Sequence, residues 1–179
     1  MTFKDVSFGA DGGLVFEGSI YRYATIDEAE TARSISSSLY FEAVFRHDVG
    51  SANMVLFRGP DNGRAFGYAG SYKTYYCSTA NKPRPDGNIA VSSISHVAVG
   101  YDGTGADSSY PLFVLNGVQR GFSATSNWGG SSSVTYVGKR TTGNPFFGSL
   151  YALLFYDRIP TDAERSSNFT AAQKRYGVA

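Results

Sequence analysis

The sequence has little cysteine, histidine or charge. Cys77 is the only cysteine in 179 residues, so no disulfide closes within the chain and a cysteine zinc site is excluded. His47 and His96 are the only histidines, which excludes a histidine-rich metal site. Charged residues make up 17%, against about 25% in an average soluble domain. Net charge is +1 and no block of Lys or Arg gathers positive charge. Phosphate neutralisation needs such a patch, so no nucleic-acid partner is expected. No run approaches the roughly 18 apolar residues of a membrane span. Residues 1–6 lack the apolar core of a signal peptide. The expectation is a chain neither exported by a standard signal nor inserted in a membrane.

What is abundant is glycine, serine and aromatic surface. There are 21 Gly, 13 Tyr and 13 Phe, with one tryptophan, Trp128. Gly and Ser clusters recur at short intervals between apolar runs, which is the punctuation of many short strands. In residues 38–47, Leu39, Phe41, Ala43 and Phe45 alternate with Tyr40, Glu42, Val44 and Arg46. That period of two predicts a half-buried strand. Residues 53–58 follow a short turn and predict a hairpin with it. Residues 65–68 and 72–78 predict a second hairpin, with Cys77 as a small strand residue. Residues 95–101 alternate again. Leu112–Leu115 run into Asn116-Gly117, a pair suited to positive φ at both positions of a type I′ turn, so 118–121 should return. Residues 135–138 form another short strand. Residues 150–156 are apolar on both faces and belong in a central strand covered on both sides. Thr161 and Glu164 form a capping box after Pro160. Phe169, Ala172 and Tyr176 make one stripe, and Gly177 ends the helix at about 161–176. That stripe should dock on the sandwich and seal an edge or an open end.

The expected fold is therefore all-β: one domain spanning 1–179, an antiparallel two-sheet sandwich with one C-terminal helix. Three segments in order resemble the laminin-G-like modules of the concanavalin A-like lectin and glucanase superfamily. They are Ser95-His96-Val97-Ala98 through Asp102-Gly103, Phe113-Val114-Leu115-Asn116-Gly117-Val118, and Phe147-Gly148-Ser149-Leu150 through Asp162-Ala163-Glu164. Leu14-Val15-Phe16-Glu17-Gly18 resembles the opening strand. Ser95 stands where the pattern has Trp, and Asn116 where it has Asp. The resemblance implies a jelly roll. Function stays open, because this architecture carries lectins, adhesion modules, glycosidases and virus surface proteins alike.

Catalytic chemistry is hard to find. Glycosidases of this superfamily carry alternating acids on one strand, because hydrolysis uses two carboxyls about 5–5.5 Å apart in the retaining case. No such pattern is present; the nearest acidic run holds Glu28 and Glu30 in an Ala, Thr and Ser context. His47 and His96 invite a Ser-His-Asp reading, but no G-x-S-x-G elbow accompanies them. Both are read as hydrogen-bonded structural histidines. No phosphate-binding glycine loop is present. The chain is expected not to be an enzyme and to need no cofactor. Calcium is the one ion left open, with Asp102 and Asp107 as candidate ligands and Asp61 with Asn62 as a second pair.

Sugar sites pair a flat aromatic with planar polar groups. Trp128 beside Asn127, in a Ser- and Gly-rich stretch, is the first candidate, and Tyr72, Tyr75 and Tyr76 are the second. In a strand, Tyr72 and Tyr76 share one face and Tyr75 takes the other. A fold usual outside cells, in a chain without a signal, suggests an accessory decoration or attachment protein on a bacteriophage particle. Its location would be the virion surface and its partner a viral capsid protein; cyclic homo-oligomers are compatible with that role. The alternative is a glycan-binding lectin module that is extracellular and meets a cell-surface glycan. A second alternative is a glycoside hydrolase-like enzyme.

Overall fold

The computed structural model describes residues 2–4, 7–17, 23–25, 38–48, 54–58, 65–69, 74–77, 92–102, 112–120, 136–138, 145–156 and 158–178. Its strands are β1 (Thr2–Lys4), β2 (Ser7–Phe8), β3 (Leu14–Glu17), β4 (Tyr23–Thr25), β5 (Ser38–His47), β6 (Met54–Arg58) and β7 (Ala65–Ala69). They continue with β8 (Thr74–Cys77), β9 (Ile94–Asp102), β10 (Leu112–Leu115), β11 (Val118–Arg120), β12 (Tyr136–Val137) and β13 (Phe147–Tyr156). One helix, α1 (Asp162–Tyr176), follows.

The strands form two antiparallel sheets. One runs β1-β4-β12-β6-β7-β8 and the other β11-β10-β9-β5-β13-β3-β2. Their inner faces meet in one core. Phe41, Phe45, Val97, Val99, Phe113 and Phe16 come from the seven-stranded sheet, and Leu56, Phe66 and Val137 from the six-stranded one. Phe41 meets Phe66 edge-on at 5.2 Å between centroids, and Phe45 meets Phe146 at 6.1 Å. T-shaped pairs suit the ring quadrupole and add to the area buried. Gly138, at φ 77, lies where a Cβ would sit 2.2 Å from the Phe16 ring, so this crossing of the sheets requires glycine.

The expected β-sandwich with a C-terminal helix is what the chain forms, and most local signals mature as read. Asn116 and Gly117 adopt φ 48 and 74, and β10 and β11 pair in register around them. β7 pairs with β8. Thr161 and Glu164 complete the capping box, and Gly177 closes the helix at φ 72. Two expectations are corrected. β5 and β6 are not a hairpin but lie in opposite sheets: β5 is bonded along both edges, to β9 and to β13, so no edge remains for β6. β5 is also not half-buried, since Tyr40, Glu42 and Val44 on its second face are all buried.

The cause is α1, which covers the outer face of the seven-stranded sheet rather than an edge or open end. Its stripe is spaced to cross strands. Phe169 meets His96 on β9 at 5.6 Å, Ala172 packs with Val44 on β5, and Tyr176 meets Tyr151 on β13 at 5.7 Å. Three or four helical residues advance about 4.5–6 Å, close to the roughly 4.8 Å between strands. β13 is central as expected, but its outer face is only partly covered: Leu154 remains 45% exposed where α1 has passed.

Two substitutions separate core from cap. Phe41→Ala is expected to lower the free energy of unfolding by about 3–5 kcal/mol. Thr161→Ala is expected to lower it by about 1 kcal/mol. Urea unfolding checks both, and equal losses would contradict this division of roles.

Candidate functional site

Beneath α1 lies a buried carboxylate. Glu42 sits on the outward side of β5 and is only 2% exposed. A charge taken from water needs hydrogen bonds in exchange. Three arrive from three elements: the Tyr40 hydroxyl donates to Oε1 at 2.7 Å, Asn168 Nδ2 of α1 to Oε1 at 3.0 Å, and His96 Nε2 of β9 lies 3.1 Å from Oε2. Asn168 Nδ2 also donates to the Tyr156 hydroxyl on β13 at 2.9 Å. Burial pushes the Glu42 pKa up, but the bonds from His96, Asn168 and Tyr40 outweigh it and hold the carboxyl below its ordinary 4.5. Burial, then the bond to Glu42, raises the Tyr40 phenol far above its usual range, so it stays a donor.

His96 is fixed from two further sides. Its backbone N–H donates to the Asn116 side chain at 2.9 Å, and its carbonyl accepts from the Asn116 N–H at 2.9 Å. The hairpin turn thus braces the imidazole. His96 Nδ1 is buried and has no hydrogen-bond partner among the described residues. The histidine is hydrogen-bonded, as the sequence suggested: its partner is the Glu42 carboxylate, and no serine or cysteine among the described residues bonds to it. His47 is buried on the core side of β5, where burial pushes its pKa below the ordinary 6.5.

α1 leaves a cleft on either side. The first is a cavity of about 220 Å³ lined by Glu42, Val44, Ala152, Leu154, Asn168 and Tyr176, among others. The second has a similar volume and lies between the first half of α1 and the β10–β11 hairpin, lined by Val114, Gln119, Asp162, Arg165, Ser166 and Phe169. His96 lines both. Beyond the helix end a polar network ties the β2–β3 turn to the sheet. Tyr151 donates to Asp11 at 2.6 Å, and Arg46 holds Asp48 at 2.9 Å and Asp11 at 3.4 Å. The Tyr151 bond is the main cause of a lowered Asp11 pKa.

Of the residues singled out in the sequence, Trp128, Asn127, Tyr72, Asp107, Asp61, Asn62, Glu28 and Glu30 lie outside the described residues. Tyr75 and Tyr76 fall on β8, the edge strand of the six-stranded sheet, opposite Tyr68 and Gly67. Asp102 ends β9. Among the described residues no cluster of three metal-ligating side chains occurs, and no helix is long and apolar enough to cross a membrane. Sequence reasoning passed over Glu42. The signal was Asn168, an amide four residues before Ala172 on the helix's docking stripe, which requires a polar partner on the sheet.

No family model matches this chain, and no curated protein matches it. Solved structures do. A botulinum neurotoxin type C chain, whose cell entry depends on interaction with two ganglioside molecules, superposes with a TM-score of 0.68 at 10% identity, covering 96% of this chain and 46% of that one. A Trypanosoma rangeli sialidase in complex with sialic acid gives 0.66 at 13%, covering 96% and 29%. Domain 4 of AbnA, a GH43 extracellular arabinanase from Geobacillus stearothermophilus, in complex with arabinotriose, gives 0.63 at 14%, covering 93% and 81%. The chain thus spans less than half of the first two. At these identities the likeness is one of fold, a β-sandwich shared with carbohydrate-binding, sialidase and toxin chains.

The buried cluster predicts a specific acid response. Because the Glu42 pKa is depressed in the folded state, its stabilising contribution is complete above pH 4.5 and is lost as pH falls through the lower folded value. The stability difference between the wild type and Glu42→Gln should therefore shrink below pH 4.5. Other depressed groups are common to both proteins and cancel. Urea unfolding of the pair at neutral and acidic pH measures this, and a constant difference would contradict it.

Proposed function

We propose that this chain is a non-catalytic glycan-binding module whose partner is a cell-surface glycan. The observation that carries the reading is the two-way match to the arabinanase domain solved with arabinotriose. It covers 93% of this chain and 81% of that domain, so the shared unit is close to a whole module. The ganglioside-dependent toxin adds a second glycan-linked protein on the same sandwich. Among the described residues each cleft beside α1 is lined by one acid, Glu42 or Asp162, whereas glycoside hydrolysis uses a flanking pair. Glu42 is moreover committed to three donors.

The motif order at 95–103, 113–118 and 147–164 favours a laminin-G-like arrangement within this reading. Decoration of a phage particle finds no counterpart among these solved structures. Trp128 with Asn127, and Tyr72, Tyr75 and Tyr76, are the aromatic sites proposed for glycan contact. Asp102 and Asp107 are the proposed calcium ligands.

A glycan array carrying arabino-oligosaccharides and sialylated gangliosides, run with calcium and with EDTA, tests the function. Selective binding is expected, weakened on the order of tenfold or more by Trp128→Ala or by Tyr75→Ala with Tyr76→Ala. Loss in EDTA would add calcium to the site. No binding under either condition would sink the proposal.

A further inference from the structure

The two clefts beside α1 offer different chemistry. In the first, Glu42 and Asn168 bond to one another, and His96 and Arg175 line it beside them. The rest of its wall is largely apolar, formed by Val44, Ala152, Leu154, Ala171 and Ala172. In the second, between α1 and the β10–β11 hairpin, the polar groups are available. Gln119 and Ser166 are exposed and make no side-chain hydrogen bond among the described residues. Its two charges cancel: Arg165 pairs with Asp162 and also donates to the Pro160 carbonyl at 2.5 Å. An anion or an ammonium ion therefore finds no net charge to select it.

The remaining wall is apolar, with Phe169, Val114 and Ala98. Gly117 helps to define it: a Cβ there would sit 2.5 Å from the Phe169 ring, so the hairpin tip rests directly on the helix. The volume of about 220 Å³ is below the roughly 300–1,000 Å³ of sites for drug-sized ligands. His96, itself buried, lines this cleft as well as the other. Its Nδ1 has no hydrogen-bond partner among the described residues, and Glu42 lines the other cleft.

We propose that the cleft between α1 and the β10–β11 hairpin seats a single neutral sugar ring, as one subsite of the glycan-binding module inferred above, on which this proposal rests. A pyranose or furanose has an apolar C–H face for Phe169 and Val114. Its hydroxyls both donate and accept, as Gln119 and Ser166 require. A single ring matches the volume, and its neutrality matches the cancelled charges.

The test is an NMR titration of the ¹⁵N-labelled protein with arabinose and with galactose, using sialic acid as the charged control. The amides of Gly117, Gln119, Ser166 and Phe169 report on the cleft, and the Trp128 indole reports on the aromatic candidate chosen from the sequence. The expected result is a saturable shift of the first four with a neutral sugar. Gln119→Ala should weaken it on the order of tenfold, and Ser166→Phe, which fills the cleft mouth, should abolish it. Both positions are exposed, and unchanged thermal unfolding confirms that each variant folds. A shift confined to the Trp128 indole, with a positive array, overturns this subsite and leaves the module's function standing. Preference for sialic acid overturns the neutral class. Silence in both the titration and the array removes both proposals.

Discussion

An ionised carboxylate cannot be left unpaired inside a protein, and the outer face of this sandwich is arranged around that constraint. Glu42 carries its charge to a place with almost no water. Tyr40, His96 and Asn168 meet it from the same strand, the neighbouring strand and the helix. A buried acceptor left without its partner costs about 1–3 kcal/mol, so the three elements are held in the arrangement that satisfies the carboxylate. The apolar stripe of α1 brings the helix to the sheet without fixing its position along the strands. The bond from Asn168 to Glu42 supplies that position.

The two clefts follow from this docking. A helix laid across strands covers a band and leaves a furrow on each side. Here Phe169, Ala172 and Tyr176 mark the band over β9, β5 and β13. The β10–β11 hairpin closes one furrow by resting Gly117 against Phe169. On the other side Leu154 stays exposed. His96 links the parts, since Asn116 of the hairpin grips its backbone while Glu42 holds its ring. The hairpin thus meets the helix directly at Phe169 and is also tied to it through the His96 imidazole.

The fold was largely legible in the sequence because its signals are local. Alternation in β5 and β9, Asn116-Gly117 at the hairpin, and the Thr161–Glu164 box each depend on residues close in the chain. What escaped is non-local. Nothing between residues 38 and 58 reveals that β5 is bonded on both edges, because its partners β9 and β13 lie far downstream. Glu42 looked like a solvated strand residue because the helix that buries it is 126 positions away in sequence, at Asn168. The glycan candidates were chosen from residue type and immediate neighbours, and neither reveals which groups distant in the chain stand beside an aromatic in the fold.

The account depends on Glu42 anchoring α1 through Asn168, and amide hydrogen exchange of Asn168→Ala measures this most directly. The account predicts that α1 amides exchange faster by on the order of tenfold or more, while β5, β9 and β13 stay protected as in the wild type. Unchanged exchange in α1, or an equal rise across helix and sheet, would contradict it.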